Sequence, residues 1–533
     1  MTSTCSECGA LKIAKEEPNL VIPVTTSWTL ARLQQLAKSN APPNDAETAY
    51  LRAVVPNAAA RLTCLEDEIS QLKERLELLE TERAEVTNYH SSNAAILSPL
   101  RRMPSGLMAE IFSWSLPGMD EMKGGTSDAQ KSPWVLAQVS SRWRKISLST
   151  PSLWSLVQVW GGDVDDLDID FVRTQVERAR KLKIHFYAAE DGDSAVQIKL
   201  FDFLCAHAPR WEEFSVQITP ALVPRLGALR GRLPSLQRLW IQWDKEENHA
   251  GDDPIKCFET ASALLDVGMQ RLTGPSTLIP LPTHQLTSYR LRAPWDIHQR
   301  VLEMSPNIIE AQIFTSSQPE ASCATLSLLH LRRLFVSELV VLDYIRAPSL
   351  DAIAVWMDKP ESTEMVGHLD SFLLRSSCTL RQLHFRGSPH VATTAETLKK
   401  YPTIARLVLT FNGGTEEGNT VALHDHLTML SLQDDSGSIV LSPHLTEIFL
   451  GSTGSTPMDY PLFLNMLQYR RKSPIASSAL SNAMFVAVEG PGPDPVTLAK
   501  MNALRDAGLD IRLDFGAKAR RQIGSWIYSC PWI

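Results

Sequence analysis

The sequence has few cysteines and no excess of positive charge. Eight cysteines are scattered over 533 residues, which is typical of reduced intracellular thiols and not of a secreted disulfide framework. Acidic residues outnumber basic ones by 60 to 52, so no bulk positive field favours nucleic acid or an anionic membrane as a partner. The N-terminus lacks the blocks of a signal peptide, and no apolar run reaches the ~18 residues of a membrane span. We expect a cytoplasmic or nuclear protein, or one found in both compartments, with neither nucleic acid nor membrane as a partner.

Motifs of catalysis and of cofactor binding are equally scarce. The glycines at 413–414 are not followed by the Gly-Lys-Ser/Thr of a phosphate-binding loop, and no Gly-x-Ser-x-Gly elbow occurs. Cys5-x-x-Cys8 has no second pair to complete a tetrahedral zinc site, so we interpret it as two ordinary thiols in a tail. The stretch 424–426 holds two histidines without further ligands, and we interpret it as a polar loop before a strand at Leu427. The sequence predicts no enzyme, no cofactor and no metal.

A chain of this length is too long for one core, so we expect several modules. The fold class predicted for the whole chain is α/β. Four prolines and the lack of a sustained period between residues 1 and 55 indicate a flexible arm. The predicted domains are the flexible arm at 1–55, a coiled-coil-like heptad helix at 56–90, a small all-α module at 98–160, an irregular solenoid of parallel strands and helices at 165–520, and a tail at 521–533.

Leucines at heptad spacing follow Pro56. The apolar side chains step by 3 and 4 residues and fall on the a and d positions of a helix from about Ala58 to Asn88, with one interruption at Arg83. They are Leu62, Leu65, Ile69, Leu72, Leu76, Leu79 and Val86. In a parallel dimer, Glu68 faces Lys73 and Arg75 faces Glu80. The pattern predicts a homodimer through Leu65, Ile69, Leu72, Leu76 and Leu79; the alternative is an amphipathic helix folded back on the chain's own body.

Two amphipathic helices are predicted between residues 98 and 160. Leu107, Ile111 and Trp114 share one face of the first helix, and Met108 and Phe112 lie on the adjoining stripe, so the helix is apolar around more than half of its circumference. The second helix carries Leu136, Val139, Trp143 and Ile146, and a further turn follows at 149–154. So small a unit usually needs a partner surface or an adjoining domain for stability, which favours a docking module.

The order of apolar residues in this module resembles that of the F-box-like proteins expanded in mushroom-type fungi. The residues that carry the resemblance are Leu100, Met103-Pro104, Leu107, Ile111-Phe112, Leu116-Pro117, Trp134-Val-Leu, Val139, Arg142-Trp143, Pro151 and Leu153-Trp154. The resemblance implies that Met103, Pro104, Leu107, Met108, Ile111 and Phe112 contact a Skp-type adaptor that links to a cullin scaffold. Met103 stands where that family usually has Leu, and Gly106 where it has Glu or Asp. The alternative is a helical cap that closes the end of the following repeats.

A Leu-x-x-Leu-x-Leu phrase recurs through the C-terminal two-thirds of the chain. From residue 286 onward the copies start at intervals of 18 to 30 residues, which brackets the ~20–29 residues of leucine-rich repeats. Clear copies start at Leu236, Leu286, Ile308, Leu331, Leu350, Leu380, Ile404, Leu427 and Leu445, with weaker ones at Trp211 and Met269. The pattern predicts a curved solenoid with one parallel strand per repeat, led by a helix at 171–181 and a strand at 182–187.

In such strands the positions that flank the last two apolar sites of each phrase point to the concave face. Aromatic side chains beside arginines are typical of protein-binding hot spots. We predict a target-binding surface there; the alternative is burial of part of the set against neighbouring loops. The predicted residues are Trp240, Arg290, Arg292, Phe335, Trp356, His384 and Arg386.

Together these features favour a substrate-recognition subunit of a cullin-type ubiquitin ligase, with an adaptor, a cullin and an unidentified target as partners. The alternative is a non-catalytic interaction scaffold that self-associates through its heptads and does not engage a ligase.

Overall fold

Two units make up the chain, Met1–Met103 and Pro104–Ile533. The computed structural model describes residues 3–4, 11–12, 30–116, 133–160, 169–187, 194–243, 255–270, 279–315, 324–357, 363–412, 415–432, 441–442, 444–452, 458–471, 480–516, 519 and 522–523. The predictions for Cys5, Cys8 and the glycines at 413–414 lie outside these residues.

One long helix dominates the first unit. Helix α1 spans Leu30–Lys38, and helix α2 spans Asp45–Leu97, which is 53 residues or roughly 80 Å at about 1.5 Å per residue. A capping box starts α2: the Asn44 side chain accepts from the backbone N–H of Glu47 at 2.8 Å, and the Glu47 carboxylate accepts from the N–H of Asn44 at 2.7 Å. Glu47 also accepts from Nε of Arg32 at 3.1 Å, which joins α1 to α2. The described part of this unit also contains a 3₁₀ turn at Pro99–Arg101 and a pair of antiparallel two-residue strands at Ser3–Thr4 and Leu11–Lys12.

The prediction of a flexible arm over 1–55 is therefore wrong for residues 30–38 and 45–55, which are helical. Pro56 lies inside α2 and not at its start. Proline in a helix interior removes one backbone hydrogen bond, and in the heptad register of α2 it falls on the outer b position. The capping box, and not Pro56, sets the beginning of the helix.

The second unit begins with short helices. Helix α3 spans Ser105–Trp114, α4 spans Leu136–Val139, α5 spans Ser141–Leu148, and a 3₁₀ turn spans Pro151–Trp154. The prediction of one continuous helix through 136–146 is wrong because Ser140 is extended, with φ −160° and ψ 164°. Its hydroxyl accepts from the N–H of Trp143 at 3.2 Å and so caps a new helix.

A parallel sheet of 14 strands follows, and its strands lie side by side in chain order. The strands are β1 Leu156–Trp160, β2 Leu182–Tyr187, β3 Trp211–Ile218, β4 Arg238–Trp243, β5 Asp266–Gln270, β6 Ser288–Ala293, β7 Glu310–Thr315, β8 Arg333–Val336, β9 Ala352–Met357, β10 Gln382–Gly387, β11 Arg406–Phe411, β12 Glu447–Ser452, β13 Asn482–Ala487 and β14 Asp510–Phe515. The two-residue strands Leu326–Ser327 and Ile345–Arg346 pair separately. The sheet starts at Leu156, so the predicted boundary at 160–165 falls too late.

Helices and 3₁₀ turns connect many of these strands. The helices are α6 Ile169–Arg178, α7 Ala195–Ala206, α8 Val223–Gly227, α9 Trp295–Glu303, α10 Thr363–Ser376, α11 Val391–Lys400, α12 Glu416–Leu430, α13 Tyr460–Arg471 and α14 Pro495–Asp506, with 3₁₀ turns at Ala208–Arg210, Thr283–Gln285 and Leu339–Tyr344. The fold is mixed α/β with a large parallel sheet, consistent with a solenoid-like arrangement. The α/β class is as predicted.

The two faces of the sheet differ. Alternate strand residues pack against the helices: Phe186 contacts Phe201 of α7, Phe411 contacts His426 of α12, and Phe485 contacts Tyr460 of α13. The residues between them point to the other side, which we call the open face. Because side chains alternate along a strand, the apolar core lies between the sheet and the helices.

Most of the repeated apolar phrases fall on strands, but two predictions fail. The copy at Leu427 lies at the end of helix α12, because leucines three residues apart also share a helix face. The hydroxyl of Thr415 caps that helix by accepting from the N–H of Gly418 at 3.1 Å. The weak copy at Met269 is out of register, since Val267 and Met269 of β5 pair with Leu239 and Ile241, the second and third apolar sites of the copy that starts at Leu236.

Arginines join successive repeats on the helical side. Arg375 donates to the carbonyls of Leu342 and Ile345, at 2.6 and 3.2 Å. Arg470 donates to Leu430 at 3.0 Å, Leu441 at 3.1 Å and Ser442 at 3.3 Å. Leu342 and Leu430 lie at the ends of a 3₁₀ turn and of helix α12, where carbonyls lack partners within their own helix. The two arginine side chains therefore supply donors to the backbone of the preceding repeat.

Candidate protein-interaction surfaces

Helix α3 has an inner face and an outer face. Met108 and Phe112 are each 1% exposed, whereas Leu107, Ile111 and Trp114 are 58%, 42% and 83% exposed. The Phe112 ring packs against Trp143 of α5 with ring centroids 4.7 Å apart. The helix is thus held by one apolar face and presents a second to solvent. We call Leu107, Ile111 and Trp114 the outer stripe.

A cluster of aromatic rings fixes this helical module to the sheet. Trp134 and Trp154 meet edge to face at 4.9 Å, and the guanidinium of Arg178 on α6 lies 4.9 and 4.4 Å from their ring centroids. The indole N–H of Trp154 donates to the carbonyl of Ser147 at 2.9 Å. Burial lowers the pKa of Arg178. The inner side of the module therefore closes the first repeat, while the outer stripe stays exposed.

Some of the predicted adaptor-binding residues are exposed and others are buried. Leu107 and Ile111 are exposed, as is Pro104 at the N-cap of α3. The assignments of Met108 and Phe112 are wrong because both side chains are buried in the module. Met103 is half-buried and belongs to the first unit.

Trp114 completes the outer stripe but is absent from the predicted adaptor set, although its spacing from Ile111 indicated a shared face. Val135 and Val139 near α4 are further exposed apolar side chains of the module.

The open face carries aromatic rings stacked with arginines. Strand pairing aligns one row across the sheet: Trp240, Gly268, Arg290, Gln312, Phe335, Ala354 and His384. The Arg290 guanidinium lies 5.0 Å from the Trp240 ring and 5.2 Å from the Phe314 ring. Arg292 lies 5.5 Å from Phe314. Such cation–π contacts hold both partners in place.

The same arrangement continues over the next strands. Phe314 and Phe335 pack with ring centroids 4.7 Å apart, and Arg386 lies 4.6 Å from the ring of its cross-strand neighbour Trp356. We call this set the aromatic–arginine patch. It consists of Trp240, Arg290, Arg292, Phe314, Phe335, Trp356 and Arg386.

The predicted target-binding residues differ in their exposure to solvent. Arg292 is exposed, and Arg290, Trp356 and Arg386 are half-buried. Trp240, Phe335 and His384 are 4%, 2% and 4% exposed, so they support the patch and do not form its surface. Trp240 is covered because its ring lies over Gly268, where a Cβ atom would overlap the indole.

His384 is unsuited to binding a target for a second reason. Its Nε2 lies 3.0 Å from Oγ1 of Thr410. Burial, with the charge of Arg386 as a smaller cause, lowers the pKa of His384 to about 3. The imidazole is therefore neutral and inside the sheet near pH 7.

Ion pairs line the open face where several strands begin. Glu213 lies 2.8 Å from His185 and 2.5 Å from Arg238, Glu310 lies 2.6 Å from Arg333, and Arg406 pairs with Glu447. Burial opposes ionisation of Glu213, but the hydrogen bond from His185 and the nearby cations outweigh it and lower the pKa. These carboxylates are matched by cations on neighbouring strands.

The end of the chain covers another part of the open face. Ala519 and Ile523 pack on Val408, Phe449, Met484 and Val486. The Gln522 amide donates to Sδ of Met484 at 3.3 Å. The predicted tail boundary at 521 therefore falls inside a packed segment.

The histidine pair at 424–426 is helical and not a loop, which corrects the prediction. His426 is buried in α12, its Nε2 lying 3.1 Å from Oγ1 of Thr394, and burial lowers its pKa to about 4. His424 is exposed and lies 3.5 Å from Asp459. Over the described residues, no group of three or more His, Cys, Asp or Glu side chains is arranged to hold a metal ion.

The predicted dimerisation residues lie on α2. Ile69, Leu72, Leu76 and Leu79 are exposed, and Leu65 is half-buried. An exposed row of large apolar side chains on one helix is the surface that coiled-coil pairing covers.

No protein-family model matches the chain, and no curated protein matches it. Within the described ranges, no helix combines the length and the apolar character that a bilayer crossing requires.

Proposed function

We propose that this protein is the substrate-recognition subunit of a cullin-type ubiquitin ligase. In this proposal the helical module is F-box-like and binds a Skp-type adaptor, and the sheet is an irregular leucine-rich-repeat array that binds a target protein. The protein performs no chemistry itself. It raises the effective concentration of target lysines near the ligase by holding two partners at once.

The observation that carries the proposal is the division of helix α3. Met108 and Phe112 on its inner face are buried in the core of the module. Leu107, Ile111 and Trp114 remain exposed on the opposite side. Exposed apolar side chains grouped on one rigid element mark protein-interaction sites. The adaptor-binding set is accordingly revised to Pro104, Leu107, Ile111 and Trp114.

The aromatic–arginine patch supports the second half of the proposal. Arg290, Arg292 and Arg386 each lie over a ring, and side chains fixed in this way lose little entropy when a partner binds. Tryptophan and arginine are enriched in binding hot spots. A target that offers carboxylates beside apolar groups has the matching chemistry.

Capture of purified adaptor tests the proposal. The immobilised full chain should retain a Skp-type adaptor and, through it, a cullin. The Leu107→Asp, Ile111→Asp double variant should lose both. A matched control replaces two exposed apolar residues of the repeat helices, Leu374→Asp and Val421→Asp, and should retain both. Failure of the wild-type chain to retain adaptor, or equal retention by the double variant, would contradict the proposal.

The second candidate function is a scaffold that self-associates and engages no ligase. The exposed heptad residues of α2 favour it. It predicts a self-associated wild-type chain that retains no adaptor, so the same capture experiment separates the two functions.

A further inference from the structure

The apolar heptad stripe of α2 extends further toward the N-terminus than predicted from the sequence. Because the helix starts at Asp45, Val55 and Ala58 also fall on a and d positions, ahead of Leu62. The whole stripe runs from Val55 to Val86, or roughly 47 Å at about 1.5 Å per residue. Its large apolar members other than half-buried Leu65 are between 45% and 61% exposed. The described part of the chain therefore leaves a long apolar stripe facing solvent.

The stripe matches itself when two copies run in opposite directions. In antiparallel pairing each a position meets a d position of the other helix, and one register brings together residues whose numbers add to 141. Every large apolar residue then meets another. The layers are Val55 with Val86, Leu62 with Leu79, Leu65 with Leu76, and Ile69 with Leu72.

Arg83 decides between the two orientations. It is the one charged residue on the stripe. In a parallel dimer Arg83 of one copy meets Arg83 of the other at the same core layer, and Ala58 meets Ala58. In the antiparallel register Arg83 meets Ala58, so the largest side chain lies against the smallest and no like charges face each other.

Flanking charges fit self-association in either orientation. The antiparallel register pairs Arg61 with Glu82, Glu68 with Arg75, and Glu66 with Lys73 of the other copy. A parallel dimer also gives attractive pairs, such as Glu68 with Lys73. The flanking charges therefore favour a second copy of the chain as the partner. The core layers favour the antiparallel orientation of that copy.

We infer that α2 is the self-association surface of this protein and that two copies pair antiparallel along Val55–Val86. The inference stands on α2 alone and does not depend on the proposed ligase function.

Light scattering of the full chain tests the association. The expected mass is twice 59.3 kDa. Ile69→Asp with Leu72→Asp should give a monomer, because both charges enter the central layer. Leu78→Asp is the matched control: Leu78 is 63% exposed on the same helix but off the stripe, and this variant should remain dimeric. A monomeric wild-type chain, or a dimer unaffected by the double change, would overturn the inference.

Disulfide cross-linking tests the direction, and it does so even where the aspartate variants fold poorly. In a full chain that keeps only the buried Cys205 and Cys257, with its other cysteines changed to Ser, Leu62→Cys alone should form no disulfide-linked dimer, because its own counterpart lies about 25 Å away along the antiparallel pair. Leu62→Cys together with Leu79→Cys should form one readily. Efficient cross-linking of Leu62→Cys alone would show a parallel pair and overturn the inference.

Discussion

Phe112 packs against Trp143 with ring centroids 4.7 Å apart, on the inner side of α3. Leu107 and Ile111 lie on the opposite side of the same helix and are exposed. This relation separates the residues that fold the module from those available to a partner.

Substitutions on the inner face of α3 should therefore lower the free energy of unfolding, whereas substitutions on the outer face should hardly change it. Phe112→Ala removes a buried ring and should lower the free energy of unfolding of the module by about 3–5 kcal/mol. Leu107→Ala should change it by less than about 0.5 kcal/mol, because the side chain is already in water. Near-ultraviolet circular dichroism during denaturant unfolding measures both. Equal losses would contradict the assignment of the faces.

Gly268 should resist substitution because its Cβ position is occupied by the Trp240 ring. Gly268→Ala should force the indole away from Arg290 and cost about 1–3 kcal/mol of unfolding free energy. Gly367→Ala is the control, since nothing lies within 4 Å of its Cβ position in α10. That variant should be neutral or slightly stabilised. Urea titrations compare the two, and a neutral Gly268→Ala would contradict the stacking of Trp240.

Arg470 is a buried cation whose guanidinium donates to three carbonyls, and burial lowers its pKa to about 10. Arg470→Met leaves these acceptors without a donor, which should cost about 3 kcal/mol or more. Arg300→Met, which removes an exposed i,i+4 pair with Asp296, should cost under about 1 kcal/mol. Thermal unfolding measures the difference, and similar melting temperatures would contradict a stabilising role for the hydrogen bonds of Arg470.

Stability should fall below about pH 6.5. Burial lowers the pKa of His298 and His426 to about 4 and that of His384 to about 3. All three are neutral in the folded chain, whereas the unfolded chain binds protons below about pH 6.5. The unfolded state thus gains protons first, and stability is lost progressively between about pH 6.5 and pH 4.

The contribution of one histidine is measurable by substitution. His426→Gln should make the fall in unfolding free energy between pH 6 and pH 5 shallower by about 1 kcal/mol per pH unit. An exposed residue of the same helix that does not titrate gives the control, Val421→Gln, which should leave the slope unchanged. An unchanged slope for His426→Gln would contradict a neutral, buried imidazole.

Local sequence signals predicted the regular part of the fold. The strand at 182–187 is present, and the helix predicted at 171–181 is α6 at Ile169–Arg178, because alternation and helical periodicity report on which side chains are buried. Helix α2 starts earlier than predicted, at a point where Asn44 and Glu47 carry the spacing of a capping box. The copy at Leu427 is helical where a strand is predicted, since a short apolar phrase fits either element.

The surfaces were less predictable because they depend on tertiary contacts. Helix α3 is apolar around more than half of its circumference, so its periodicity alone does not show which stripe meets Trp143. The burial of Trp240 follows from pairing with Gly268 in the next strand. Coverage of Phe449 by Ile523 joins residues far apart in the sequence, which no local pattern reveals.

The affinity of the full chain for a Skp-type adaptor, measured by calorimetric titration, is the most direct test of the proposed function. We expect a one-to-one complex that the Leu107→Asp, Ile111→Asp variant weakens at least about 100-fold, as expected for two hot-spot residues, with an unchanged melting temperature. Absence of binding by the wild-type chain, or an equal affinity for both proteins, would contradict the proposed function.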